Sequence, residues 1–160
     1  MAEVKILIEG YTSEDSGEEK TCPTITLIRD KDIRMIVDPG VLEDPKILVD
    51  KLKEEGLTID DINIVFITHS HIDHYRNIGM FPEAKTLEFY GLWDKNTVED
   101  WDAQFTDGHS YDALTLLVKT DKGIIAVCGD VLGKLKESRK MVLEKADWII
   151  PGHGKMFKVE

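Results

Sequence analysis

The chain has 160 residues, a length that fits one domain and leaves little room for a second. Acidic residues number 31 against 20 basic ones, for a formal charge of −11. This balance disfavours a protein that coats duplex nucleic acid, because non-specific affinity for DNA or RNA comes from clustered Lys and Arg. Hydrophobic residues make up 42% and charged residues 32%, which is typical of a globular chain rather than a disordered or fibrous one. We predict a single domain over residues 1–160.

The N-terminal segment and the cysteines bear on where the protein works. Residues 1–10 carry acidic side chains and no small-residue cleavage site, which favours a first strand over a signal peptide. No apolar run approaches the roughly 20 residues needed to cross a bilayer, so we expect no membrane association. Cys22 and Cys128 are far apart in the sequence, and we expect a reducing, cytoplasmic location.

The first half of the chain contains a predicted hairpin, a helix and a buried strand. After a polar stretch over residues 11–21, predicted to be a loop, β-branched runs at 24–29 and 33–37 indicate a hairpin. Asp44 and Pro45 are typical of a helix start, and Gly56 of a helix end. Residues 62–68 form a nearly continuous apolar run, which is typical of a strand buried on both faces.

The second half repeats this alternation. Residues 114–119 and 123–127 predict another hairpin, a second helix covers residues 135–146, and 148–150 form a short last strand. Strand pairs that alternate with helices, and buried strands that need covering on two sides, predict two stacked sheets with helices outside. The expected fold is therefore an α/β sandwich of mixed α+β type.

The histidines are concentrated in one motif. Three of the five fall within six residues, in the segment His69-Ser70-His71-Ile72-Asp73-His74. A chance match to this pattern has a probability of roughly one in two thousand. Residues two apart in an extended segment project from the same side, so His69 and His71 can converge on one metal ion, whereas a turn would aim Asp73 and His74 elsewhere. Zn²⁺ favours imidazole, supplemented by carboxylate.

The alternative explanation of this motif is a polar helix start with exposed histidines. It leaves unexplained the other two histidines, His109 and His153, which also lie near predicted strand ends. Taken alone, either would be an ordinary loop histidine. Together with the motif they favour a site for two metal ions roughly 3.5–4 Å apart.

The pattern resembles the metallo-beta-lactamase superfamily, whose motifs run His-x-His-x-Asp-His, a lone His, an Asp and a final His. The matching residues here are His69, His71, Asp73, His74, His109, Asp130 and His153. Asp38, before Pro39-Gly40, matches the superfamily's first motif. The resemblance spans about residues 24–157 and implies a four-layer αββα sandwich.

The resemblance also implies a role for each matching residue. One metal would be held by His69, His71 and His109. The second would be held by Asp73, His74 and His153. Asp130 would bridge both metals. Asp38 would accept a hydrogen bond that orients a ligand imidazole. From the sequence alone, Asp38-Pro39-Gly40 could equally be a common turn.

The chemistry implied is hydrolysis by hydroxide that bridges two divalent ions, with Zn²⁺ expected and Fe or Mn as alternatives. Asp73 and Asp130 would be the catalytic carboxylates, one aiming the hydroxide and the other fixing the metals. The bond cleaved would be an ester, thioester, lactone, amide or phosphodiester in a small-molecule substrate. No nucleophile elbow, phosphate-binding loop or dinucleotide fingerprint competes with this interpretation.

Three other functions fit the same motif. One is RNA cleavage by the same dimetal site, and another is a mono-iron, persulfide-type dioxygenase. The last is a metal-stabilised scaffold without activity. Specificity is expected to come from short loops at residues 11–21, 75–76 and 89–101, with Tyr111 and Lys134; the sequence leaves the substrate and the oligomeric state open.

Overall fold

The computed structural model of the chain describes residues 1–13, 20–95, 97–99, 112–132 and 136–160. The strands within them are β1 (Glu3–Ile8), β2 (Tyr11–Ser13), β3 (Lys20–Cys22), β4 (Ile25–Asp30), β5 (Ile33–Val37), β6 (Ile64–Phe66), β7 (Lys85–Glu88), β8 (Gly91–Asp94), β9 (Thr97–Glu99), β10 (Leu116–Thr120), β11 (Gly123–Val127), β12 (Trp148–Ile150) and β13 (Phe157–Lys158). The helices are α1 (Lys46–Glu54), α2 (Ile72–Tyr75) and α3 (Lys136–Lys145). None of these helices has the length and apolar character needed to span a bilayer.

The larger sheet of the described chain has the strand order β1-β4-β5-β6-β7-β8-β9. The predicted hairpin is confirmed as β4 and β5, which pair antiparallel from Thr26 with Val37 to Asp30 with Ile33. Strands β5, β6 and β7 run parallel. Because parallel strands end at the same edge of a sheet, the loops that follow β5 and β6 are neighbours.

The smaller sheet has the order β10-β11-β12-β13. Its first two strands form the second predicted hairpin, and β11 then pairs parallel with β12. The segments after β11 and β12 therefore also leave the sheet at one common edge.

The apolar side chains divide into three layers of packing. Between the sheets, Phe66 and Val37 of the larger sheet belong to the same buried cluster as Ile125 and Ile150 of the smaller one. The opposite face of the larger sheet is covered by α1 through Leu48 and Leu52. The outer face of the smaller sheet is covered by α3 through Val142. The order helix, sheet, sheet, helix confirms the predicted αββα sandwich.

Helix α1 begins and ends where the sequence predicts. A carboxylate oxygen of Asp44 accepts a hydrogen bond from the backbone N–H of Lys46 at 2.8 Å, which satisfies one of the free donors at the helix start. Gly56 follows the helix with a φ of 71°, a left-handed conformation that glycine adopts without steric cost.

Two segments predicted to be loops contain strands. Within residues 11–21, β2 pairs antiparallel with β3 in a separate two-stranded sheet, and residues 14–19 lie outside the described part. Within residues 89–101, β8 and β9 extend the larger sheet. The loop prediction was wrong at these strands because their Thr, Trp and Val side chains, which favour strands, are embedded among polar residues.

Candidate metal centre

The chemistry-bearing residues follow the ends of the parallel strands. Asp38 comes directly after β5, and His69 comes three residues after β6. In the smaller sheet, Asp130 comes three residues after β11 and His153 three residues after β12. Side chains that are distant in the sequence meet here because both sheets end at this edge of the sandwich.

The first cluster consists of His69, His71 and Asp130, whose candidate ligand atoms lie within 4.8 Å of one another. The backbone at His71 is extended, with φ −78° and ψ 135°, and the rings of His69 and His71 lie 4.6 Å apart. His69 is buried and its Nε2 lies 3.7 Å from Oδ2 of Asp130. His71 is exposed, so the cluster is open to solvent on one side.

The second cluster consists of Asp73, His74 and His153 and meets the same distance limit. The chain turns into α2 directly after His71, which gives Asp73 and His74 a direction different from that of the two preceding histidines. Oδ2 of Asp73 lies 3.4 Å from Nε2 of His153 and 3.8 Å from Nε2 of His74. Ligands of a tetrahedral zinc ion are separated by about 3.3 Å, so these spacings are near those of a metal site.

Asp130 contacts both clusters, with a different oxygen facing each. Its Oδ1 lies 3.7 Å from Nε2 of His74 and 3.6 Å from Nε2 of His153. Its Oδ2 faces Nε2 of His69. A carboxylate placed in this way can donate one oxygen to each of two cations.

The donor set fits divalent cations. Nε2 of His74 is buried and makes no hydrogen bond, which is costly for a polar atom unless a ligand satisfies it. The same atom faces carboxylate oxygens of Asp73 and Asp130. Imidazole nitrogen combined with carboxylate oxygen is a donor set that Zn²⁺, Fe and Mn accept.

Asp38 positions His74 from behind. It is buried, and its Oδ2 accepts hydrogen bonds from Nδ1 of His74 and from Oγ1 of Thr68, both at 2.7 Å. Its Oδ1 accepts from the backbone N–H of Thr68 at 2.8 Å. In the neutral imidazole, a hydrogen bond donated by Nδ1 leaves Nε2 as the acceptor directed at the second cluster, which is how carboxylates orient ligand imidazoles.

Burial and charge shift the pKa of the two buried histidines in opposite directions. Burial, together with the neighbouring His74, lowers the pKa of His69 to about 4. Burial also acts to lower the pKa of His74, but the hydrogen bond and charge of Asp38, with Asp130 and Asp73, outweigh it and raise that pKa. His69 is therefore neutral at pH 7, the form in which imidazole binds metals.

The hairpin of β2 and β3 supplies contacts that the sequence did not indicate. Nδ1 of His153 donates to the backbone carbonyl oxygen of Cys22 at 2.8 Å, which directs Nε2 at the second cluster. Oγ1 of Thr21 donates to Oδ2 of Asp73 at 3.3 Å. A polar residue within a predicted loop gives no signal of such contacts.

Asp112 is a further side chain at the site that no sequence motif indicates. It is buried and accepts a hydrogen bond from the backbone N–H of Ser70 at 2.8 Å, which fixes the segment between His69 and His71. His109, Tyr111 and Lys134 lie outside the described residues.

Comparison with known proteins agrees with this geometry. The family model described as "Metallo-beta-lactamase superfamily" matches residues 23–95. Metallo-beta-lactamase domain-containing protein 1 of Xenopus laevis is 28% identical over 98% of this chain and 81% of its own length. The mouse, rat and human proteins of the same name are each matched over 78% of this chain, which covers 61%, 63% and 59% of their respective lengths.

Solved structures show the same fold. A Thermotoga maritima protein assigned as a metallo-beta-lactamase superposes with a TM-score of 0.78 at 24% identity, over 98% of this chain and 99% of its own. A dizinc quorum-quenching lactonase superposes with a TM-score of 0.59 at 16% identity, over 85% of this chain and 73% of its own. The fold and the match of the family model over residues 23–95 confirm the resemblance found in the sequence: the chain is similar to the metallo-beta-lactamase superfamily and has its fold.

Proposed function

We propose that the chain is a hydrolase that uses two divalent cations to cleave an ester, thioester, lactone, amide or phosphodiester bond in a small molecule. The observation that carries the proposal is the position of Asp130, whose two oxygens face two separate clusters of histidine and aspartate. The superfamily consists generally of hydrolytic metalloenzymes.

Each cluster is assigned one cation. The first would be held by His69, His71 and, outside the described residues, His109. The second would be held by Asp73, His74 and His153. Asp130 would bind both. We propose zinc because imidazole predominates among these ligands, and a fold neighbour is a dizinc enzyme.

The cations would supply Lewis acidity toward the substrate's carbonyl or phosphoryl oxygen and lower the pKa of the attacking water. The residues of the chain hold this arrangement in place. Asp38 and the carbonyl of Cys22 accept hydrogen bonds from Nδ1 of His74 and of His153, so in the neutral imidazoles Nε2 is the atom available to a cation. Asp73 would accept a hydrogen bond from the attacking water and so orient it.

Elemental analysis of protein purified anaerobically, without added metal, tests the centre. We expect two equivalents of zinc in the wild type, about one in His153→Ala, and loss at both sites in Asp130→Ala. The matched control is Asp121→Ala, which removes an exposed carboxylate in the turn between β10 and β11 and should keep both equivalents. One equivalent of iron in the wild type would instead support the dioxygenase.

A screen of ester, thioester, lactone and phosphodiester substrates tests the reaction. We expect turnover that is lost in the double variant His71→Ala, His153→Ala together with the metals. Full metal content and full activity in this double variant would refute the assignment. Cleavage of short RNA that falls steeply with added salt would favour the nuclease, since phosphate contacts are salt-dependent.

A further inference from the structure

A groove of about 660 Å³ opens beside the second cluster, and Asp73 forms part of its wall. Its other walls come from the hairpin of β2 and β3, the start of α1 and the exposed side of α2. Because Asp73 belongs both to the groove and to the proposed metal site, a molecule lying in the groove extends directly from the reaction centre.

The walls of the groove are largely apolar. Tyr11, Ile47 and Ile72 line it and are 50%, 45% and 56% exposed. They are joined there by Val41 and Leu42. Large apolar side chains that gather at one exposed place, rather than being scattered singly, mark a binding surface.

The groove also contains one basic side chain that has no acidic partner among the described residues. Of the charged residues in its wall, Lys20 pairs with Glu43 at 3.4 Å, and Asp73 is assigned to the metal. Arg76 makes no side-chain hydrogen bond or ion pair with any residue of the described chain. Its guanidinium therefore remains available in a chain with a net charge of −11.

We propose that this groove binds the non-reacting part of the substrate, and that this part is an apolar chain carrying an anionic group. The inference rests on the proposed hydrolase function. The chain would pack against Ile47 and Ile72, and Arg76 would bind the anion, either a carboxylate or a phosphate. The substrate class is thus an amphiphilic anion whose cleavable bond reaches the metals.

Binding tests the groove independently of turnover. The zinc-loaded protein, labelled at its isoleucine methyl groups, is titrated by NMR with hexanol, hexanoate and hexyl phosphate. We expect shifts at Ile47 and Ile72, and tighter binding of an anion than of the alcohol. Arg76→Ala should reduce the ratio of anion affinity to alcohol affinity about two- to fivefold, the upper part of the range for an exposed ion pair. The exposed Arg139→Ala on α3 is the matched control.

The two anions distinguish the source of the charge. If Arg76→Ala loses more affinity for hexyl phosphate than for hexanoate, the natural substrate carries a phosphate group. If it loses more affinity for hexanoate, the natural substrate carries a carboxylate. An unchanged ratio in Arg76→Ala, or shifts that avoid Ile47 and Ile72, would overturn the proposal.

Turnover separates failure of the groove from failure of the enzyme. For p-nitrophenyl esters from acetate to hexanoate, kcat/KM should rise about twofold per methylene, less than full burial would give. Ile47→Asn should abolish this increase of kcat/KM with chain length. Ile33→Asn should not, because Ile33 is exposed outside the groove. If protein with both metals bound hydrolyses none of these esters, the proposed hydrolysis of esters is refuted. The NMR titration still shows whether the groove binds the anions.

Discussion

Replacing Asp38 with asparagine gives the sharpest test of how the second cluster is held. The carboxylate is 2% exposed and accepts three hydrogen bonds of 2.7–2.8 Å, from His74 and from two groups of Thr68. An amide has one acceptor oxygen, so its NH₂ group must face a donor. If that donor is Nδ1 of His74, the imidazole has to shift its proton to Nε2, the atom directed at the cluster.

The expected cost has two parts. Hydrogen bonds to a charged group contribute about 1.5–3 kcal/mol each, and one of the three is lost, so the free energy of unfolding of metal-free protein should fall by about 2 kcal/mol. Loss of an outer carboxylate that orients a ligand lowers metal affinity about 10–100-fold. That loss should affect one of the two equivalents, because His74 belongs to the second cluster alone.

Urea denaturation of metal-free protein and competition with a chromophoric chelator measure the two effects. The matched control is Asp147→Asn, since Asp147 also accepts a backbone hydrogen bond, from Ile124 at 2.7 Å, but at the other end of β11 from Asp130. It should lower stability without changing metal affinity. If Asp38→Asn binds both zinc ions as tightly as the wild type, the orienting role of Asp38 is wrong.

Three further predictions follow from burial and close packing. In Gly152→Ala the new Cβ would overlap Oδ1 of Asp130 and lie 2.8 Å from the backbone carbonyl carbon of Gly129. We expect at least a tenfold loss of zinc affinity, measured by chelator competition. Burial, with the charges of nearby aspartates, raises the pKa of Cys22 to about 11 and of Cys128 to about 12, so neither thiol should react with a disulfide reagent at pH 8 before denaturant is added. Leu52→Ala, in a fully buried position of α1, should cost about 3 kcal/mol in urea denaturation and leave zinc affinity unchanged.

The two hairpins and the layer order could be predicted because the signals are local. Runs of β-branched residues give the strands, and the caps of α1 are read directly from Asp44 and Gly56. Sheet order is less local, yet the parallel pairing of β5 with β6 follows from the helix that joins them. The strands within residues 11–21 were missed because each is three residues long and pairing, rather than composition, defines them.

The grouping of the metal ligands could be predicted in outline, but the residues that hydrogen-bond to those ligands could not. The spacing of His69 and His71, and the turn before Asp73, already predict that the side chains of this motif point to two different metal sites. The contact between Thr21 and His153, in contrast, joins residues 132 apart in the sequence. No periodicity or motif encodes such a contact, because it depends on how the small hairpin packs over the sandwich edge.

That hairpin connects the proposed metal centre with the proposed substrate groove. Its second strand contacts Asp73 through Thr21 and His153 through Cys22, while Tyr11 of its first strand lines the groove. A displacement of the hairpin therefore moves ligand-orienting groups and substrate-binding groups together. Changes in this segment should consequently alter metal affinity and KM in parallel, whereas a change at Ile47 of α1, which lines the groove, should alter KM without altering metal affinity.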